Sequence, residues 1–327
     1  MFSRSKKEKF TRIFYATDIH GSDICFRKFI GAALFYEVDV LILGGDITGK
    51  MIVPIVKYDD GTVRSSFQGI EHTMKNKDEV LEFEKKITNQ GYYAYHTGSK
   101  EFEELGSSEN KINDLFISLM KKTLIDWIRF GEDKLRNTSV VCYITGGNDD
   151  PQEVIDLIKD SDHVKNPDNK VVLIDNFHQM VSLGWGNPTP WKTHRECSEE
   201  ELKRRIDELV SPVERFENCI FNFHVPPIDS TLDTASMLDD STYPPKPVVK
   251  AGQPVLIGAG SKAVRDAVER YQPLLVLCGH IHESIGTSNI GRTLCMNPGS
   301  EYGEGILRGA IINLDDRKVV SHQFVAG

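Results

Sequence analysis

The chain has 327 residues, 39% of them hydrophobic and 27% charged, the balance of an ordinary soluble globular protein. A formal charge of −9 argues against a broad nucleic-acid-binding face, which needs a basic surface, but not against a small phosphate substrate met by bound cations. No segment approaches the roughly 20 apolar residues needed to span a bilayer.

Residues 1–10 are polar and basic and lack the apolar core of a signal peptide. Six cysteines, at 25, 142, 197, 219, 278 and 295, are scattered without a Cys-x-x-Cys pair. Cys142 and Cys278 lie in apolar runs and read as buried thiols. This usage suits a reducing compartment, and the expected location is the cytoplasm, with no membrane partner.

Residues 12–17 alternate as a first strand, and residues 22–35 read as a helix. The apolar run 38–43 has the length of a strand buried on both faces. This β-α-β unit carries Asp18, His20 and Asp46 at strand carboxyl ends, where open α/β sheets bind ligands. The rhythm then breaks for about a hundred residues. Residues 52–58 and 62–68 flank Asp60-Gly61 as a hairpin, and residues 77–90 and 112–135 read as helices. Between them, 98–110 is polar and reads as a mobile linker. The block 50–137 is expected to be a cap or side subdomain inserted into a single domain spanning 1–327.

Strands resume at 140–145, 171–174 and 179–183, followed by a helix at 198–216 that Ser198 caps. Further strands are expected at 219–223, 274–277, 293–296 and 309–313, and a helix at 262–271. The stretch 226–253, rich in Pro, Asp, Ser and Thr, reads as loop.

Apolar runs lead, in order, into Asp18-Ile19-His20, Gly44-Gly45-Asp46, Gly147-Asn148-Asp149-Asp150, Phe223-His224 and Gly279-His280-Ile281-His282. Each piece alone is weak, since a strand-end His is more often a structural hydrogen-bonder. Together they place metal-capable side chains where one cage could hold two cations, a known means of cleaving phosphate esters. Asp46, after a buried strand and two glycines that allow close backbone approach, is the candidate bridge. Asp18, His20 and His282 would complete one metal, and Asn148, His224 and His280 the other. Mixed nitrogen and oxygen ligation points to Mn, Fe, Zn or Co.

On these motifs the chain resembles the calcineurin-like metallophosphoesterase superfamily, whose pattern is Asp-x-His, Gly-Asp-x-x-Gly, Gly-Asn-His-Asp/Glu, a lone His, and Gly-His-x-His. The resemblance runs from Phe14 to about Arg308, with 50–137 least matched. It is nearest the Icc-related predicted phosphoesterases, through residues 16–21, Asn187-Pro188-Thr189-Pro190-Trp191 and Asn297-Pro298-Gly299-Ser300. It implies an α/β fold: a four-layer α/β/β/α sandwich of two mixed sheets, with an inserted hairpin-plus-helix block. It also implies in-line attack at phosphorus by a hydroxide held between the metals, with Asn148 and His224 catalytic as well as ligating. The substrate expected is a small phosphate ester, a diester before a monoester. The alternatives are a phosphomonoesterase or protein phosphatase, or a non-catalytic protein-binding scaffold of the same fold.

One position departs from the pattern. The His after Asn, assigned elsewhere as general acid or phosphate contact, is Asp149 here. Beside cations a carboxylate stays ionised, so Asp149 would repel a phosphate and donate no proton; alternatively it points away and caps the next turn. Arg195, in a stretch with Trp185, Trp191 and His194, is a weaker candidate for substrate contact, structural packing being the competing reading. Asn297 is a second weak candidate, in a turn that supports His280 and His282. The segment 258–261 before the 262–271 helix could bind an anion or simply start the helix.

Overall fold

The structure, a computed structural model, describes residues 10–242 and 244–327, so nearly all of the basic N-terminal stretch lies outside the described residues. Two mixed sheets pack face to face. The first runs Val319–Ala326, Arg308–Leu314, Thr11–Ala16, Val40–Gly44, Val141–Thr145 and Val164–Lys165 from edge to edge. The second runs Gln179–Leu183, Cys219–Phe223, Leu275–Leu277, Thr293–Asn297 and Gly286–Ile290.

Strand alternation builds the layers. Ile13 and Tyr15 point between the sheets, with Val40, Ile42 and Tyr143, and meet Met180, Ile220, Leu275 and Met296 from the other sheet. Phe14 and Ala16, one residue out of step, face outward into a second core with Phe26, Phe29 and Trp127. The outer face of the second sheet is covered by the helices Glu199–Val210 and Lys262–Tyr271, through Leu202, Ile206, Val264 and Val268. The result is the four-layer α/β/β/α sandwich. Each large apolar side chain buried this way stabilises it by roughly 1.5–3 kcal/mol.

The block between the strands Val40–Gly44 and Val141–Thr145 is different in organisation from a simple cap. Ile52–Lys57, Val63–Phe67, Ile70–Met74 and Tyr93–Gly98 form a separate four-stranded sheet, with its own core of Val53, Ile55, Phe67, Met74, Phe83 and Ile87. The helix Glu109–Leu135, however, packs on the main sheet, with Trp127 stacked on Phe26 at 4.4 Å between ring centroids. It is an outer layer of the sandwich rather than part of the insert.

Two loop expectations are corrected. Within 98–110, Ser99–Gly106 is helical, because Thr97 and Tyr95 anchor Glu101 in its first turn. Within 226–253, short two-stranded ladders such as Thr234–Ser236 with Leu256–Gly258 interrupt the loop. The helix expected over 198–216 stops at Val210, two residues before Pro212, which has no N–H with which to continue the helix.

What positions the site is the parallel register. Thr11–Ala16, Val40–Gly44 and Val141–Thr145 are parallel neighbours, as are Cys219–Phe223 and Leu275–Leu277. Their carboxyl ends discharge five loops at one edge of the sandwich. No helix among the described residues is long and apolar enough to cross a membrane.

Candidate metal centre

The five loops converge. Asp18, His20 and His282 form one group whose ligand-type atoms lie within 4.8 Å of one another, and Asp46, His224 and His280 form a second, with His282 and His280 the partly exposed members. Asp46 joins them: its Oδ2 is 3.3 Å from His224 Nε2 and 3.7 Å from His20 Nε2. Asp18 Oδ1 closes the first group at 3.4 Å from His282 Nε2 and 3.9 Å from His20 Nε2.

Local backbone geometry holds these side chains inward. Asp18, His20, Asp46 and His280 all have left-handed φ, from 39° to 66°, a conformation that costs about 1–3 kcal/mol per non-glycine residue and persists only where surroundings enforce it. The enforcement is visible. Asp18 N–H donates to Gly45 O at 2.9 Å and His20 N–H to Asp46 O at 3.0 Å, zipping the first loop to the second. His280 N–H donates to both oxygens of Asp18 at 3.0 and 3.1 Å, tying the last loop to the first. A Cβ at Gly147 would stand 2.1 Å from Asp46 Oδ1, and one at Gly45, itself at φ 118°, would stand 2.5 Å from His224 Nδ1. Only glycine lets these loops close.

The polar atoms left without partners fit a cation. His224 Nδ1 donates to Gly44 O at 3.0 Å, which leaves Nε2, buried and without a hydrogen-bond partner, as the atom a cation would take. Asn148 Nδ2 donates to Thr193 Oγ1 at 2.7 Å, leaving its buried Oδ1 with no donor. Thr193 is itself fixed by donating to Glu196 at 2.6 Å. Two imidazole nitrogens, His20 Nε2 and His282 Nε2, face each other at 3.0 Å. A buried acceptor left without a donor, such as Asn148 Oδ1, is costly unless a cation or another donor satisfies it.

Electrostatics agrees. Burial pulls His20 well below the ordinary imidazole value and His280 down to about 4, leaving neutral rings with lone pairs to give. Burial acts the same way on His224, but the charges of Asp46 and Asp18 overcome it and push that ring up to about 10. Burial would raise Asp46 too, yet His224, His20 and Lys50 hold it well below the usual carboxylate range.

Six of the seven residues expected as ligands thus fall in the two groups that Asp46 joins, and Asn148 stands beside them, one residue before Asp149, whose N–H is tied to Asp46. Asp149 lies against this ligand group rather than away from it: its N–H donates to Asp46 Oδ1 at 3.0 Å and its Oδ2 lies 3.8 Å from His20 Nδ1. It is not a bare carboxylate, because Lys50 Nζ stands 3.0 Å from Oδ2. Burial, then the charge of Asp46, push Asp149 up to about 6 against the pull of Lys50. The turn is knitted instead by Asp150, buried, accepting from Thr48 N–H at 2.8 Å, Gly147 N–H at 2.7 Å and Ile47 N–H at 3.1 Å.

The substrate role considered for Arg195 does not fit its surroundings. Its side chain is 1% exposed and its Nη2 donates to Asp168 at 2.5 Å, behind the Gly146–Gly147 turn. Asn297 is likewise fully buried, donating to Ile281 O at 2.9 Å and accepting from Gly299 N–H at 2.8 Å. Both are scaffolding for the loops. The 262–271 helix start is occupied by the protein's own carboxylate: Glu199 accepts from Lys262 N–H at 3.0 Å and Ala263 N–H at 2.8 Å.

Sequence reasoning missed Lys50, Asp150, Thr193 and Tyr302, whose ring lies 4.7 Å from that of His20. Lys50 directly follows the Gly45-Asp46-Ile47-Thr48-Gly49 motif, and Asp150 ends the Gly147-Asn148-Asp149-Asp150 motif. Proximity to these motifs was their one signal.

The chain matches no known family model. It is 32% identical over 154 residues to an uncharacterized protein of Methanocaldococcus jannaschii, 46% of this chain and 61% of that one. The chain therefore spans less than two thirds of the curated relative it matches. One solved structure superposes over 96% of this chain and 99% of its own at a TM-score of 0.55 and 14% identity, a likeness of fold. The structure of TT1561 of Thermus thermophilus covers 94% of this chain and 100% of its own at a TM-score of 0.48 and 12% identity.

Proposed function

We propose that this chain, which has the calcineurin-like metallophosphoesterase fold, is a phosphoric ester hydrolase working through two metal ions, with a preference for phosphodiesters. The observation that carries the reading is the placement of Asp46 Oδ2 between His224 Nε2 at 3.3 Å and His20 Nε2 at 3.7 Å. A carboxylate so placed can serve two cations at once.

Asp18, His20 and His282 would hold one cation, Asn148, His224 and His280 the other, and Asp46 both. Mn, Fe, Zn or Co suits this mixture of imidazole, carboxylate and amide oxygen. When bound, the metals supply Lewis-acid polarisation of the phosphoryl oxygens and activation of the attacking water. The protein's part is orientation. His224 is locked by Gly44 O into the tautomer that offers Nε2, and Asn148 is locked by Thr193 so that Oδ1 faces the cavity. The left-handed backbone at four ligand positions keeps these atoms converged before any substrate arrives.

The preference for a diester rests on the resemblance of the motifs, nearest in this reading to the Icc-related phosphoesterases. A small phosphate ester is the expected partner, and six free cysteines suit a cytoplasmic setting. We read the chain as one domain whose inserted sheet shapes specificity: Tyr93 OH accepts from Gly49 N–H at 2.8 Å and so braces the Asp46 loop.

The test is hydrolysis of bis(p-nitrophenyl) phosphate and p-nitrophenyl phosphate by Mn²⁺-reconstituted protein, beside Asp46→Asn and His224→Ala. Diester cleavage lost in both variants supports the reading. Cleavage of the monoester alone makes the chain a phosphomonoesterase, and no cleavage with metal bound makes it a scaffold.

A further inference from the structure

At the open edge of the cavity the chain places an ion pair where the resembled pattern has one imidazole. Lys50 Nζ and Asp149 Oδ2 are 3.0 Å apart, with the lysine side chain half-exposed and that of Asp149 mostly covered. Asp149 is anchored to the metal-site floor through its N–H to Asp46 Oδ1 at 3.0 Å. Lys50 is anchored at its backbone, since the preceding Gly49 is tied to Tyr93 OH at 2.8 Å. Among the described residues, Lys50 is the one lysine or arginine that pairs with Asp18, Asp46 or Asp149.

An ammonium has three donors. One faces Asp149, and among the described residues Lys50 makes no other ion pair, on a side chain that is half-exposed. A phosphate ester held by the ligand group would lie within reach of this half-exposed ammonium, which stands against Asp149 and, through it, Asp46. The Asp149 carboxylate cancels the lysine charge, so the pair offers hydrogen bonds without adding net positive charge to the site. A dianion gains most from net positive charge, and a monoanion loses least when it is withheld.

We propose that Lys50, positioned by Asp149, contacts a non-bridging oxygen of the bound phosphate ester, and that the neutrality of this pair selects a monoanionic diester over a dianionic monoester. The inference rests on the phosphoesterase reading above and names the substrate charge for it. Lys50 is the group that touches substrate; Asp149 is a positioning residue.

The experiment compares parent, Lys50→Met, Lys50→Arg and Asp149→Asn, each reconstituted with Mn²⁺. Two readouts are taken: the ratio of kcat/KM for p-nitrophenyl phosphate to that for bis(p-nitrophenyl) phosphate, and the affinity for inorganic phosphate by calorimetry. Asp149→Asn uncovers the lysine charge and is expected to raise the monoester-to-diester ratio about tenfold and tighten phosphate binding. Lys50→Met leaves the carboxylate alone and is expected to lower the ratio and weaken phosphate binding by about tenfold, while Lys50→Arg keeps most of both. Ratios and phosphate affinities within twofold of the parent in both Lys50→Met and Asp149→Asn would overturn the proposal. So would a fall in bound Mn²⁺ in Asp149→Asn, which would make Asp149 a metal ligand. Should the parent cleave neither ester, the phosphoesterase reading fails separately. Phosphate binding then still decides the Lys50 contact: weaker in Lys50→Met supports it, unchanged refutes it.

Discussion

His224 donates from Nδ1 to the carbonyl oxygen of Gly44 at 3.0 Å, and its Nε2 thereby faces Asp46 Oδ2 at 3.3 Å. Without a cation the pair is an ion pair. Burial opposes protonation, but Asp46 and Asp18 push the ring up to about 10. A metal at Nε2 must displace that proton. Below about pH 10 cation binding is therefore expected to release a proton from His224, and affinity to rise with pH. Calorimetry in two buffers of different ionisation heat checks this: a proton release that is absent in His224→Ala supports the arrangement, and buffer-independent heats contradict it.

Asp150 carries the turn that presents Asn148, accepting from Gly147, Ile47 and Thr48 N–H groups inside the protein. Asp150→Ala leaves these donors buried without acceptors, at roughly 1–3 kcal/mol each. Urea unfolding should show a loss of about 3 kcal/mol or more. Metal affinity should fall about 10–100-fold, the usual cost of removing a support of a ligand. An intact metal affinity would show that the turn holds without it.

Arg195 and Asp168 form a buried pair, each side chain at most 2% exposed. Arg195→Met leaves the carboxylate unpaired, with an expected cost of about 3–5 kcal/mol. Adding Asp168→Leu removes the stranded charge and should recover much of that loss. KM for either ester should stay unchanged in the fraction that folds. A raised KM with unchanged urea stability would restore Arg195 to the substrate.

Acid stability has an identifiable contributor outside the site. Burial would raise Asp175, but hydrogen bonds from His178 Nδ1 at 2.7 Å, from Thr11 and from the Phe177 and His178 N–H groups hold it below the usual carboxylate range. A depressed folded value means stability that is fully present above the unfolded value near 3.9 and is lost as pH falls toward the folded value. Asp175→Asn should therefore be less stable than the parent at pH 6, and the gap should narrow as pH drops below about 4. Urea midpoints at pH 6, 4 and 3 measure it; a constant gap would assign the loss to packing instead.

The strands that lead into candidate ligands were legible from their largely apolar runs: 219–223 matches the observed strand before His224, and the run at 38–43 ends one residue short of Gly44. The left-handed turns after them were legible only as glycines, since nothing in Asp18 or His280 announces a positive φ. The insert was half legible. Its first hairpin showed through Asp60-Gly61, whereas Ile70–Met74 and Tyr93–Gly98 mix charged and polar residues and acquire strand structure only by pairing in their own sheet. Likewise the partner of Asp149 lies 99 positions away at Lys50, and no local pattern points from one to the other. For Arg195 substrate contact and packing both stayed open, because sequence does not show Asp168 beneath it.

The central claim is that Asp46 joins two cation sites. Its most direct measurement is the metal content of protein reconstituted with Mn²⁺ and desalted, for the parent and for Asp46→Asn. Two ions per chain in the parent, falling to one or none in Asp46→Asn with the fold intact by circular dichroism, is the predicted result. One ion or none in the parent, or two ions retained by Asp46→Asn, would contradict a centre bridged by Asp46.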